Sequence, residues 1–199
     1  LRKRSEFEVG PGGVERSWEH VGSIQAVADP ALLKIEADRE VVVEGVRWEE
    51  NRRGWGFALF PAELGAGREF LIPFASLDRG NIDLGNVGAG EAEVTVEVRD
   101  AAGAVVRTAG LRIAARGVVR TWDVLGNLYG YGKPLTVRVV SSEALVADNV
   151  KWAEPPYDTV GAGFSCGPRE LLAGRRFHFP FSSFGWTNGY AVVANATGE

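Results

Sequence analysis

Apolar and polar residues alternate with period two in several stretches of the chain. In EVTVEV, Glu93–Val98, the valines at 94, 96 and 98 take one side and Glu93, Thr95 and Glu97 the other. In LTVRVV, Leu135–Val140, Leu135, Val137 and Val139 share one face while Thr136 and Arg138 share the opposite one. Successive strand side chains point to opposite faces, so this pattern reads as strands with one buried and one wet face. Extended along the sequence, it predicts strands over 69–74, 81–87, 91–99, 104–114, 118–125, 134–141 and 144–152. Short strands separated by Gly, Pro, Asn and Asp clusters are the signature of an antiparallel sandwich.

The punctuation fits. DAAGA at Asp100–Ala104 supplies a hairpin turn in which Gly103 is free to take a positive φ. Helical periodicity is scarce. The best candidates are Pro168–Leu172 and its counterpart Pro61–Leu64, each about one turn long and set in stretches that read as linkers.

A repeat organises the pattern. Arg16, Trp18 and Gly22 match Arg120, Trp122 and Gly126, and Val46, Trp48 and Glu50 match Val150, Trp152 and Glu154, all 104 residues on. After a three-residue insertion the offset is 107: Gly56, Phe57, Pro61, Leu64 and Gly67 match Gly163, Phe164, Pro168, Leu171 and Gly174, and Phe70, Pro73 and Phe74 match Phe177, Pro180 and Phe181. Tryptophan is rare enough for such coincidences to mean duplication. The expected architecture is all-β, with two Ig-like antiparallel β-sandwich units in tandem. Residues 68–153 are the complete unit, 1–53 with 177–199 form the other, completed by both chain ends, and 54–67 and 154–176 are linkers. An isolated half-unit would leave strand edges unpaired, which is the reason to expect the two ends to meet.

Composition changes the picture only by exclusion. The chain has 199 residues, 45% apolar and 24% charged, the balance of a globular protein. Its 26 glycines are nearly double the usual share of about 7% and favour turns. A net charge of −4 without a dense Lys/Arg stripe argues against a nucleic-acid partner, because phosphate neutralisation needs clustered cations. No apolar run approaches the roughly 18 residues of a membrane-spanning helix. Leu1 in place of an initiator Met, with Met absent throughout, reads as a processed chain or an excised piece. The single Cys166 rules out an intramolecular disulfide and reads as a small buried apolar residue, which leaves the compartment open, cytoplasm included.

Catalytic chemistry finds few residues to work with. His20 and His178 are the two histidines; nucleophilic catalysis needs a base beside its nucleophile, and neither sits in such a motif. No HExxH, calcium loop or cysteine pair points to a metal, and GPGG and GAGF lack the Lys-Ser/Thr of a phosphate loop. No cofactor and no enzymatic activity are expected. Two repeated polar positions suggest ion pairs: Arg16 with Glu44 in one unit and Arg120 with Asp148 in the other, satisfying charge across strands. Binding would use aromatics, which present rigid amphipathic surface. The candidates are Tyr129 and Tyr131 in GNLYGYGKP, expected to be exposed, together with Trp48 and Trp152 at strand ends.

The order FLIPFASL, LGNVGAGEAEVTVEVRDAAGAVV, LRIAARGVVRTWDV, LTVRVVSSEALVADNVKW resembles the sensory rhodopsin transducer-like β-sandwich family and related tandem sandwich repeats of bacterial secreted and surface proteins. The resemblance rests on a Pro-Phe strand, an Asn before a Gly-Glu turn, the Asp-Gly hairpin, an Ala-Arg-Gly turn and a closing Val-Ser hairpin that ends in Val-Ala. It implies a secreted or surface protein, an oligomer, and a structural or protein-interaction role, with carbohydrate binding or signal transduction as the alternative.

Overall fold

The computed structural model describes residues 62–74, 79–152 and 161–173, and, nearer the N-terminus, 3–11, 14, 16–23, 26, 31–39, 43–47 and 55–58. The chain is mostly antiparallel β with a few short helices. Strands β1 (Glu44–Arg47) and β2 (Trp55–Ala58) form a two-stranded sheet. A seven-stranded sheet comprises β3 (Gly67–Phe74), β4 (Arg79–Asn86), β5 (Ala92–Arg99), β6 (Val105–Ile113), β7 (Val118–Arg120), β8 (Leu135–Trp152) and β9 (Gly161–Cys166). Among the described residues, the helices with both ends described are about one turn long: α1 (Ser17–Val21), α2 (Ala62–Gly65), α3 (Trp122–Leu125) and α4 (Arg169–Leu172), with a 3-10 turn at Leu128–Tyr131.

The spine of the large sheet is β8, 18 residues long. Its first half runs between β3 and β5, its second half between β4 and β9. Two strands had been expected here, joined by a turn at 142–143. The segment Ser141–Ala144 holds no Gly, Pro, Asn or Asp to make one, and β8 continues through it with a register shift against β3, where Glu69 pairs with Val140 and Gly67 with Leu145. Leu135, Val137, Val139, Ser141, Leu145, Ala147 and Asn149 are all buried, so one face of β8 points inward along its length.

Two wings therefore hang on one strand. In the first, β6, β5, the start of β8 and β3 lie side by side; in the second, β7, β4, the end of β8 and β9 do. Their inner faces meet in a single core of Phe70, Ile72 and Phe74 from β3, Ile82 and Leu84 from β4, the β5 valines, Ile113, and the β8 residues, with Leu125 and Leu128 from the α3 region. A flat sheet could not bring both inner faces into one cluster, so the sheet is curled about its core. Phe70 and Phe74 are wholly buried, each adding about 2–3 kcal/mol of apolar burial.

Two expected turns form as read. Gly103 takes φ 86° and donates to Asp100 O, while Asp100 Oδ1 accepts from Ala102 N and Ala104 N. The Ala-Arg-Gly turn puts Arg116 at φ 61° and closes with Gly117 N donating to Ala114 O at 2.8 Å. The expected strand over 118–125 stops at Arg120. Asn81 Oδ1 takes the Trp122 backbone N–H at 2.8 Å, and the chain turns into α3, ending at Gly126 with φ 69°.

The segments read as linkers carry structure. Residues 54–67 include β2 and α2; residues 154–176 include β9, an integral strand of the large sheet, and α4. The two stretches match element for element. Glu44, Gly45, Val46 and Arg47 pair with Ala58, Phe57, Gly56 and Trp55, and their sequence counterparts Asp148, Asn149, Val150 and Lys151 pair with Ser165, Phe164, Gly163 and Ala162. Both the 104 and the 107 offsets are thus met in one register. Helix α2 falls on α4, and α1 on Thr121–Leu125, each of the latter pair followed by a positive-φ glycine, Gly22 at 71° and Gly126 at 69°. The expected pairing of 1–53 with 177–199 lies outside the described residues.

Candidate functional site

The aromatic candidates gather where β4 begins and β8 ends. Asn127 organises this end: its Oδ1 accepts from Tyr129 N at 3.2 Å, opening the 3-10 turn, and from Gly80 N at 3.0 Å, tying that turn to β4. The 3-10 turn then carries Tyr129 and Tyr131. Tyr129 meets Phe74 edge-on, ring centroids 5.7 Å apart, and Lys133 Nζ lies 5.4 Å from its ring centroid. Such a cation over a ring is attracted to the negative π face. Gly80 is glycine for want of room, since a Cβ there would lie 2.9 Å from Phe74 and 3.1 Å from Tyr129.

Expected as exposed contacts, Tyr129 and Tyr131 are instead half-buried and packed against the core. The Tyr131 hydroxyl donates to Leu125 O at 2.8 Å. Gly80 leaves the hollow that takes the Tyr129 ring, and a buried phenol needs a partner for its hydroxyl. Trp152 ends β8 opposite Arg79, and the Arg79 guanidinium lies 5.9 Å from the Trp122 ring centroid. The structure thus brings together Tyr129, Trp122, Arg79, Lys133 and the backbone of Trp152. Arg79 and Lys133 carry no signal in the sequence that marks them for this cluster; the side chains of Trp48 and Trp152 lie outside the described residues.

Beneath this end lies a polar network. Asn81 Oδ1 accepts from Thr121 Oγ1 at 3.0 Å as well as from Trp122 N, and Thr121 Oγ1 accepts from Ile82 N at 2.9 Å. At the far end of β4, Asn86 is wholly buried. Its Nδ2 donates to Gly90 O, Ile113 O and Ala114 O, and its Oδ1 accepts from Gly88 N. These amides fasten turns to the sheet.

The expected ion pairs fall differently. Arg120 Nε lies 3.7 Å from Asp83 Oδ1. Strand β4 stands between β7 and β8, so Asp83 is the register partner of both Arg120 and Asp148, which sets those two strands about 9–10 Å apart. Asp83 therefore takes the role expected of Asp148. Arg16 is exposed and pairs with Glu19, one helical turn on; the Glu44 side chain lies outside the described residues. A larger ladder, missed in the sequence, crosses the outer face of the first wing. Glu69 Oε1 accepts from Arg138 Nε and Arg169 Nη1, both at 2.9 Å; Arg138 also faces Glu97 at 3.7 Å, and Glu97 takes Arg99 at 2.8 Å. Partial burial raises the Glu69 pKa, but the hydrogen bonds and charges of Arg138 and Arg169 outweigh it and hold the carboxyl below its ordinary value.

His20 stacks on Phe7, ring centroids 4.2 Å apart. Among the described residues no helix is long and apolar enough to cross a membrane, and no group of three or more His, Cys, Asp or Glu side chains could hold a metal ion.

No family model and no curated protein matches the chain. A solved structure, the crystal structure of Thermotoga maritima 1070, is similar at 12% identity and a TM-score of 0.38, over 50% of this chain and 91% of that one.

Proposed function

We propose that this chain is a non-catalytic structural or protein-interaction module of a bacterial surface or secreted protein, built as two β-sandwich units in tandem and akin to the sensory rhodopsin transducer-like sandwiches. The observation that carries this reading is the use made of the buried polar side chains. Asn81, Asn86 and Thr121 bind backbone groups and one another, holding turns and strand ends in place. Such groups act as scaffold; a catalytic site would aim them at a reacting atom. The tandem reading draws its support from the matching strand registers and the matching positive-φ glycines after α1 and α3.

The second reading, a carbohydrate-binding module, is favoured by one feature. Tyr129, Trp122, Arg79 and Lys133 put half-buried rings and cations at one end of the sheet, and sugars stack on such rims. A glycan-array screen of the intact chain, with hits confirmed by intrinsic Trp fluorescence, separates the readings. A saturable hit lost in Tyr129→Ala establishes the binding module. Silence across the array from a cooperatively folded chain leaves the structural reading standing, and turnover of any arrayed glycan would overturn both.

A further inference from the structure

We infer that the two repeat units face each other across a pseudo-two-fold axis running between β2 and β9, so that the surface joining them is isologous and the partner it fits is a second copy of the same unit. The inference rests on the duplication proposed above and adds the symmetry operation, which the sequence does not carry.

The argument starts from which elements touch. Strand β2 packs against β9 although the two belong to different sheets. By the 107-residue offset they are the same strand of the repeat: Trp55, Gly56, Phe57 and Ala58 correspond to Ala162, Gly163, Phe164 and Ser165, and each pairs in the same register with its own neighbour. An element touches its own copy when it lies beside a rotation axis, and an isologous interface is one surface patch meeting itself. Translation brings copies of a strand together only where the repeat is a strand or two thick, as in a solenoid. Here the complete unit is two wings wide around its own core, so a translated copy of β9 would lie a whole unit away.

A second contact agrees. Each of these strands leads through a one-turn helix, α2 or α4. The end of the first of these segments packs on the second: a Cβ at Gly67 would overlap Pro168, and Arg169 of α4 bonds Glu69 of β3. The two equivalent stretches therefore lie side by side at two levels, β2 on β9 and Gly67 on Pro168, as two segments flanking one axis do.

A two-fold is its own inverse, and that property is measurable in the full chain. Spin labels would be placed at Glu19 and its counterpart Asp123, and at Ala66 and its counterpart Ala173, after Cys166→Ala removes the native thiol. Any duplication makes the 19–66 and 123–173 distances equal. Only a two-fold also makes the crossed distances, 19–173 and 123–66, equal. Pulsed electron–electron resonance on the four double-cysteine variants, each checked for native circular dichroism, should give coincident distributions within both sets. Coincident same-sense pairs with separated crossed pairs would overturn the two-fold and leave the duplication intact. Separated same-sense pairs would overturn the duplication and the two-fold with it.

Discussion

Strands β4 and β5 are each eight residues long and lie in the same sheet, yet they are stabilised differently. Strand β5 alternates strictly: Ala92, Val94, Val96 and Val98 are buried, while Glu93 and Thr95 are exposed and Glu97 and Arg99 half-exposed. Strand β4 is covered on both faces. Ile82 and Leu84 enter the core, while Asn81 is sealed beneath Thr121 and Trp122, and Gly85 lies against Val146 and Leu32. One wing thus turns a wet, charge-laddered face outward, and the other is overlaid by further parts of the chain. A strand wet on one side can rely on apolar burial alone, whereas a strand covered on both must satisfy every polar group it carries.

Core truncation on the β3 and β5 wing should have the largest effect. Phe70→Ala removes a wholly buried ring and is expected to cost about 3–5 kcal/mol in urea unfolding. The β4 wing should respond to changes of polarity at nearly constant volume. Asn86→Leu keeps the bulk but deprives three carbonyls and one N–H of their partner; about 2–4 kcal/mol should be lost. If Asn86→Leu proved neutral while Phe70→Ala did not, the contrast between the wings would be wrong.

The same contrast explains how much was legible beforehand. Strand β5 and the first half of β8 could be read from alternation, because a half-wet strand writes its two faces into the sequence. The matching positive-φ glycines after α1 and α3, Gly22 and Gly126, stand in the sequence four residues after Trp18 and Trp122. The stretch RGNIDLGN of β4 has no such period: Asn81 and Gly85 are buried because of what lies over them, and that is tertiary information. The α3 turn was missed because TWDVL reads equally as strand until Asn81 supplies the bond that stops β7. The aromatic end was half legible. Tyr129 and Tyr131 were found, but Arg79 and Lys133 become neighbours of rings only once Asn127 folds the 3-10 turn onto Gly80.

A smaller change sharpens the claim that β4 is overlaid. A Cβ at position 85 would lie 2.8 Å from Leu32 Cδ1 and 3.1 Å from Val146 Cγ2. Gly85→Ala should therefore destabilise by about 1 kcal/mol, an overpacking cost. In a Leu32→Ala background the penalty should shrink, because the overlying methyl is gone. A double-mutant cycle by urea denaturation measures the coupling, and a coupling of zero would mean that the 31–39 segment does not lie on this face in solution.

The smallest effect belongs to the wet wing and its charge ladder. The Glu69 carboxyl is ordinary in the unfolded chain and held below that ordinary value in the folded one by Arg138 and Arg169. A carboxylate with a depressed folded pKa stabilises fully above its unfolded pKa, and that contribution is lost as pH falls through the folded value. The ladder is partly solvated, its side chains 23–36% exposed, so its worth at neutral pH is about 0.5–1 kcal/mol. Glu69→Gln should be less stable than the parent by that amount at pH 7, and the two should converge in acid once Glu69 is protonated. Added salt should narrow the neutral-pH gap, because exposed charges are screened within about 8–10 Å near physiological ionic strength, while leaving the Asn86→Leu deficit unchanged. A gap that persisted in acid would show that Glu69 acts through packing, and the open wing would then resemble the covered one after all.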